Sequence, residues 1–201
     1  MAEQVAKIKK KQWFMILAPK MFDNVPLGET LVFDPGAMMG KTLSYSLMNL
    51  INDNKKQNIS LQFKVTEVEG DHAKTAVIGY KIMPSSIKRF VRRNSEKVDL
   101  SFPCDTSDNV LVRIKLLFVT KNTVKGSIAA KLRHNSVSFV IKTIKKMTYE
   151  ELIDSLITRK LHEMIKESLN PIFPLKICEI RYAGIEEREK TQEVKIESAK
   201  Q

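Results

Sequence analysis

Residues 59–83, ISLQFKVTEVEGDHAKTAVIGYKIM, decide the fold class. The first part of this stretch alternates strictly between apolar and polar residues, which is the pattern of a half-buried β-strand. The apolar positions are Ile59, Leu61, Phe63 and Val65. Gly70-Asp71 then predicts a hairpin turn, and residues 72–83 predict a second strand. Antiparallel β-structure is therefore expected at the centre of the fold.

Strand and helix patterns follow one another irregularly on both sides of this hairpin. Further strands are predicted at residues 11–17, 41–50, 98–102, 111–120 and 175–182. A short helix is predicted from Pro84, and Thr148 with Glu151 forms a capping box that starts a longer one. Residues 123–147 are mixed: their end is amphipathic like a helix, but 137–141 also fit a strand.

Because helices do not alternate regularly with strands, a doubly wound parallel sheet is disfavoured. We predict an α+β fold with a largely antiparallel, barrel-like sheet and packed helices. One domain is expected over residues 11–185. It would be flanked by a basic arm at residues 1–10 and a charged, disordered tail at residues 186–201.

Composition narrows the class of protein. The 201 residues are 43% apolar, which excludes a wholly disordered chain, and only 7 Gly and 7 Pro exclude a collagen-like one. Cys104 and Cys178 are too few for a disulfide framework or a four-ligand zinc site. No apolar run reaches the roughly 20 residues that span a bilayer. A cytoplasmic protein without membrane partners is expected.

The net charge of +11 is unevenly distributed. Residues 109–149 contain nine Lys and Arg residues and no acid, and residues 81–97 contain six with only Glu96 as an acid. Such clusters favour a polyanionic partner, and nucleic acid is the first candidate. The alternative for each cluster is a solvated surface that happens to be basic.

Three groups of cations are candidate RNA contacts. The first is an expected helical face on which like charges repel at i, i+4 spacing, so that an external anion would neutralise it. It consists of Lys88, Arg89, Arg92 and Arg93. The second group consists of Arg113, Lys131, Arg133, Lys142, Lys145 and Lys146. The third belongs to the N-terminal arm and consists of Lys9, Lys10 and Lys11.

Catalytic and metal-binding patterns do not stand out. His72, His134 and His162 are isolated in sequence, and no CxxC or HExxH spacing occurs. Both cysteines fit small buried apolar residues. We therefore predict no catalytic residues, no metal, no cofactor and no small-molecule substrate. The aromatic residues Trp13, Phe14 and Phe90 lie near cations and fit either base stacking or the core.

Several short motifs occur in the order of a known family. Lys11-Gln12-Trp13 followed by residues 18–22, APKMF, resembles the opening of the archaeal and eukaryotic small-subunit ribosomal protein three-a family. The later matches in the same order are Gly28-Glu29-Thr30, residues 40–50, Arg92-Arg93, residues 106–113, residues 144–147 (IKKM) and residues 172–175 (IFPL). Phe14 and Phe173 stand where tyrosine is common, and Asn109 stands where the family's turn has glycine.

The resemblance covers roughly residues 9–185 and implies a structural, non-enzymatic component of the small ribosomal subunit. It implies a place on the platform near the mRNA exit and the 3′ end of the rRNA. The implied partners are small-subunit rRNA, neighbouring platform proteins and mRNA near the exit. Two alternatives stay open: a stand-alone RNA-binding or RNA-processing factor, and a module that binds acidic proteins or anionic membranes.

Overall fold

The computed structural model describes residues 11–186. The expected basic arm at residues 1–10 and nearly all of the expected disordered tail lie outside the described residues. The chain divides into two compact units, Met1–Met83 and Pro84–Gln201. The single domain over residues 11–185 stays a prediction, and each unit is described by itself below.

Within residues 11–83, the first unit is built on five strands. They are β1 (Gln12–Leu17), β2 (Pro26–Val32), β3 (Thr42–Ser46), β4 (Ile59–Glu69) and β5 (His72–Ile82). Their order is β2-β1-β5-β4-β3, and every neighbouring pair is antiparallel except β1 with β5, which is parallel. The connections include a short helix, α1 (Leu47–Ile51), and three 3-10 turns at Lys20–Phe22, Pro35–Met38 and Asn54–Lys56.

The β4–β5 hairpin confirms the prediction for residues 59–83. Its four alternating apolar side chains are all buried, as a strand with one face on the core requires. Phe63 meets Phe22 edge to face, with ring centroids 6.2 Å apart. Gly70 has a φ of 58°, a left-handed conformation that suits glycine in the hairpin turn.

The described part of the second unit, residues 84–186, contains three strands and four helices. They are α2 (Pro84–Phe90), β6 (Lys97–Asp105), β7 (Leu111–Thr120), α3 (Gly126–Ile144), α4 (Tyr149–Ile157), α5 (Lys160–Leu169) and β8 (Leu175–Ile185). Strand β7 pairs antiparallel with both β6 and β8. Helix α3 packs against β6 and α5, and α5 packs against β8. Asn109 adopts the left-handed backbone, with a φ of 58°, in the turn between β6 and β7.

Two helix predictions need correction. The strand alternative at residues 137–141 is wrong, because α3 runs through this segment and buries Val140 and Ile144 on one face. The helix that begins at Thr148 is not one helix but two. Arg159 has a φ of 64°, and this left-handed residue turns the chain between α4 and α5. No glycine or proline marks the break in the sequence.

The predicted start of α4 is confirmed. The Glu151 N–H donates to the Thr148 hydroxyl (3.3 Å), and the Thr148 N–H donates to the Glu151 carboxylate (2.9 Å). The described residues together form an α+β fold, as predicted. Within each unit the strand order is open, so "barrel-like" is a loose description of the sheet.

Candidate nucleic-acid interface

Four exposed cations lie within six residues at the end of α2. We call Lys88, Arg89, Arg92 and Arg93 the α2 cluster. The helix ends at Phe90, so the predicted single helical face is wrong, because Arg92 and Arg93 lie in the turn that follows. Ser95 holds this turn: its hydroxyl donates to the Arg92 carbonyl (2.6 Å) and accepts from the Arg92 N–H (3.3 Å). Such a side-chain bond to the backbone competes with helix continuation.

Helix α3 presents a second group of cations on its outward side. Its buried side is formed by Ala129, Leu132, Ser136, Val140 and Ile144. At 100° per residue, Lys131 and Lys142 point away from that side, and Lys145 at the helix end follows the same direction. We call these three exposed lysines the α3 stripe. Lys131 and Lys142 are eleven residues apart, or about 16 Å along the axis.

The other cations of the second predicted group lie elsewhere. Arg133 is exposed but belongs to a different sector of α3, and Lys146 lies in the turn after the helix. Arg113 lies on β7, where its Nε donates to both carboxylate oxygens of Glu186 (2.9 and 2.8 Å). Residues 109–149 contain no acid, but the fold places Glu186, which follows β8, beside Arg113.

The α2 cluster and the α3 stripe have no salt-bridge partners among residues 11–186. Other lysines have such partners. Lys97 Nζ lies 2.6 Å from Asp99 Oδ2, and Lys56 Nζ lies 4.0 Å from Asp53 Oδ2. Lys74 pairs with Glu69. An exposed cation without an ion-pair partner attracts an external anion more strongly, because no neighbouring carboxylate cancels part of its electric field. Several such cations share each of these two surfaces, which suits both surfaces to phosphate.

The predicted N-terminal contacts are described only in part. Lys9 and Lys10 lie outside the described residues. Lys11 is exposed, and its Nζ lies 5.1 Å from the centre of the Phe33 ring, a cation–π contact.

The three aromatic candidates for base stacking differ in their exposure to solvent. Phe14 is a core residue at 1% exposure, and Phe90 is half-buried. Trp13 is 63% exposed, so of the two alternatives it does not belong to the core. Adjacent strand residues face opposite sides, and Trp13 takes the outer side because Phe14 takes the inner one.

A polar cluster lies where the start of α5 meets β8, and it joins the exposed Arg159 to the buried His162 and Glu179. Arg159 Nη2 donates to Glu179 Oε1 (3.1 Å), and His162 Nε2 lies 3.5 Å from Glu179 Oε2. Burial and the charge of Arg159 lower the pKa of His162 to about 4, and burial raises the pKa of Glu179. The imidazole is therefore neutral at pH 7. Glu179 lies on a different element from Arg159 and His162, and the three residues match no motif, so only the fold reveals the cluster.

Both cysteine thiols are buried. Burial raises the pKa of Cys104 to about 11 and that of Cys178 to about 12, so both stay protonated at neutral pH. Within residues 11–186, no group of three or more His, Cys, Asp or Glu side chains is placed to hold a metal ion. In the same range, no helix combines the length and the apolar character needed to cross a bilayer.

Comparison with known proteins identifies the family of the chain. The Ribosomal S3Ae family matches residues 2–188. The chain belongs to this family. The S3Ae assignment confirms the predicted family, and the prediction that the protein is not an enzyme agrees with a family of structural ribosomal proteins. It also agrees with the predicted location on the ribosome in the cytoplasm.

Archaeal relatives of this S3Ae chain are similar along nearly their whole length. The small ribosomal subunit protein eS1 of Methanothrix thermoacetophila is 33% identical over 179 residues, covering 89% of this chain and 85% of the relative. The eS1 protein of Nanoarchaeum equitans is 30% identical over 188 residues, covering 94% and 95%. That of Haloarcula marismortui is 31% identical over 182 residues, covering 90% and 85%.

Proposed function

We propose that this S3Ae chain is a structural constituent of the small ribosomal subunit that holds rRNA through the α2 cluster and the α3 stripe. The observation that carries the proposal is the set of exposed, unpaired cations in these two surfaces. Lys and Arg neutralise phosphates and release counterions, which gives affinity without reading sequence. Arg89, Arg92 and Arg93 add planar donors that can meet phosphate oxygens in pairs.

Salt dependence tests the electrostatic part of the proposal. If six to ten phosphates are contacted, a log–log plot of affinity for small-subunit rRNA against salt should have a slope of about −5 to −9. Replacing all four cations of the α2 cluster by Gln should make that slope shallower by about 3. A flat salt response of the unaltered protein would overturn the proposal.

We also propose a location: the platform of the subunit, near the mRNA exit and the 3′ end of the rRNA, beside other platform proteins. The ordered motifs from Trp13 to residues 172–175 support it by resemblance. mRNA near the exit is a further candidate partner.

Tethered cleavage can test this location, because Cys104 and Cys178 are buried and an added surface cysteine can be labelled selectively. An iron chelate on Asn135→Cys, next to the α3 stripe, should cut rRNA near its 3′ end in reconstituted subunits. The matched control is Asn54→Cys in the first unit. Cuts confined to distant rRNA regions would contradict the location while leaving rRNA binding intact.

A further inference from the structure

The β1–β2 hairpin carries exposed aromatic surface on its outer face. Trp13 is 63% exposed and Phe33 52%. Leu31, which pairs directly with Trp13 across the strands, is 40% exposed. Phe14 and Val32 alternate with them and turn into the core. We call Trp13, Leu31 and Phe33 the hairpin patch.

This patch is unusual for the chain. Among the large apolar side chains that are exposed within residues 11–186, only Trp13 and Phe33 are aromatic. The remaining aromatic rings of that range are buried or half-buried. Strand β5 joins β1 only from Met15 onward, which pairs with His72, so none of the strands within residues 11–186 flanks Trp13 on the side opposite Leu31. Clustered exposed apolar surface of this kind marks a binding site.

The two ends of the hairpin patch differ in charge. The cation–π contact between Lys11 and Phe33 puts a positive charge at one end. Glu29, opposite Met15, lies toward the other end. An anionic chain is therefore favoured at the Lys11 end and disfavoured at the Glu29 end.

We propose that the hairpin patch stacks unpaired nucleobases of single-stranded RNA, with the adjacent phosphates at the Lys11 end. Every base offers an aromatic face, so exposed Trp and Phe rings bind single strands with little regard to sequence, and neighbouring cations hold the backbone. The inference rests on the proposed rRNA-binding function and adds a second mode to it. The α2 cluster and α3 stripe would hold phosphates, whereas the hairpin patch would hold bases.

Fluorescence tests this directly, because Trp13 is the only tryptophan in the chain. In the free full-length protein, acrylamide should quench its emission strongly. A short single-stranded RNA should itself quench the emission and then shield Trp13 from acrylamide. An abasic oligonucleotide with the same number of phosphates should do neither. Equal quenching by the abasic strand, or a tryptophan already shielded in the free protein, would overturn the inference.

Variants separate stacking from charge. Trp13→Leu should weaken binding of labelled single-stranded RNA by about five- to a hundredfold, with the salt slope unchanged. Trp13→Phe should keep most of the affinity because it keeps a ring. Ile51→Ala, which alters an exposed apolar side chain of α1, is the matched control and should change nothing. An unaltered Tm would show that each variant is folded.

The outcomes distinguish this inference from the proposed function. If RNA binding stays salt-dependent but is the same in Trp13→Leu and for abasic strands, the stacking inference fails and rRNA binding stands. If the unaltered protein shows no salt-dependent RNA binding at all, the proposed function fails. If Trp13→Leu keeps its RNA affinity but no longer retains a neighbouring ribosomal protein, the patch docks protein and the inference is wrong.

Discussion

Helix α3 and the α4–α5 pair differ in whether acidic side chains cap the helix or pair with its cations. The first turn of α3 contains no acid, and its N-cap residue, Lys125, makes no side-chain cap. Helix α4 begins with the Thr148 capping box and two acids in its first turn. The Asp108 carboxylate also accepts a hydrogen bond from the Tyr149 N–H (3.0 Å). Acids near a helix N-terminus stabilise it, so α4 has local support that α3 lacks.

The cations of these helices also differ in whether they have acidic partners. The α3 stripe has no acidic partner among the described residues, whereas Arg159, at the start of α5, pairs with the buried Glu179. An acid that stabilises a helix or pairs with a cation also cancels part of the field that an external anion would feel. The absence of acids in α3 thus favours binding, and their presence around α4 and α5 favours folding.

The largest expected effect is on RNA affinity. Changing Lys131, Lys142 and Lys145 together to Gln should lower affinity for small-subunit rRNA by two to three orders of magnitude at about 0.1 M salt. The free energy of unfolding should change by no more than about 0.5 kcal/mol, because the three side chains are exposed and unpaired. Anisotropy of labelled rRNA and urea unfolding measure the two quantities.

A triple variant with the same charge change provides the control. Lys56, Lys74 and Lys97 already have acidic partners, and replacing them by Gln should lower RNA affinity by less than about tenfold. Equal losses in the two triple variants would show that only net charge matters and that the contrast between the helices has no functional meaning.

The second prediction concerns pH and the buried side of α5. The pKa of His162 is about 6.5 in the unfolded chain and about 4 in the folded protein. Between these values the unfolded state binds a proton that the folded state does not, so stability falls as pH falls from about 6.5 to about 4. His162 alone contributes a loss of about 3 kcal/mol over this range. The raised pKa of Glu179 acts in the opposite direction and reduces the net loss.

Urea unfolding at several pH values isolates the histidine. His162→Leu should lose less stability than the unaltered protein between pH 6.5 and 4, whatever its stability at pH 7. His134→Gln, on the exposed side of α3, controls for the removal of an imidazole as such. Identical pH profiles for His162→Leu and the unaltered protein would be inconsistent with a neutral buried His162.

The third prediction tests the local support of α4. Thr148→Ala removes the hydroxyl that accepts the Glu151 N–H, and it should destabilise the protein by about 1 kcal/mol. Thr123→Ala, at an exposed position before α3, is the matched control and should have little effect. Chemical denaturation measures both, and equal stabilities would mean that the capping box contributes nothing.

The smallest expected effect comes from giving α3 the cap that it lacks. Lys125 already has the extended backbone of an N-cap residue, with a φ of −64° and a ψ of 145°. Lys125→Ser should therefore raise the free energy of unfolding by about 0.5 to 1 kcal/mol. Lys125→Asp should stabilise similarly but weaken rRNA binding more, since it also adds a negative charge. Equal rRNA affinities for these two variants would refute the idea that α3 stays acid-free for binding.

Local patterns in the sequence were sufficient for much of the fold. The alternation at residues 59–65 and the Gly70-Asp71 turn predicted the β4–β5 hairpin, because strand periodicity and turn geometry depend on nearby residues. The capping box at Thr148 was predictable for the same reason. The break at Arg159 was not, since a left-handed residue with an ordinary side chain leaves no local signal.

The candidate RNA-binding surfaces were only partly predictable. Counting charges along the chain found the cations of the α2 cluster and the α3 stripe. It also grouped Arg113 with them, although β8 brings Glu186 against that side chain. It could not separate Trp13 from Phe14, because two adjacent aromatic residues look alike until the strand assigns each a face.

The sequence by itself determined the family, the α+β class and the basic character of this chain, because these follow from composition, local periodicity and ordered motifs. The tertiary structure alone decided which charges are free, which aromatic ring reaches solvent, and that His162, Glu179 and Arg159 meet. The physical reason is that ion pairing and burial depend on distances between residues remote in sequence. Those distances are fixed only when strands and helices pack.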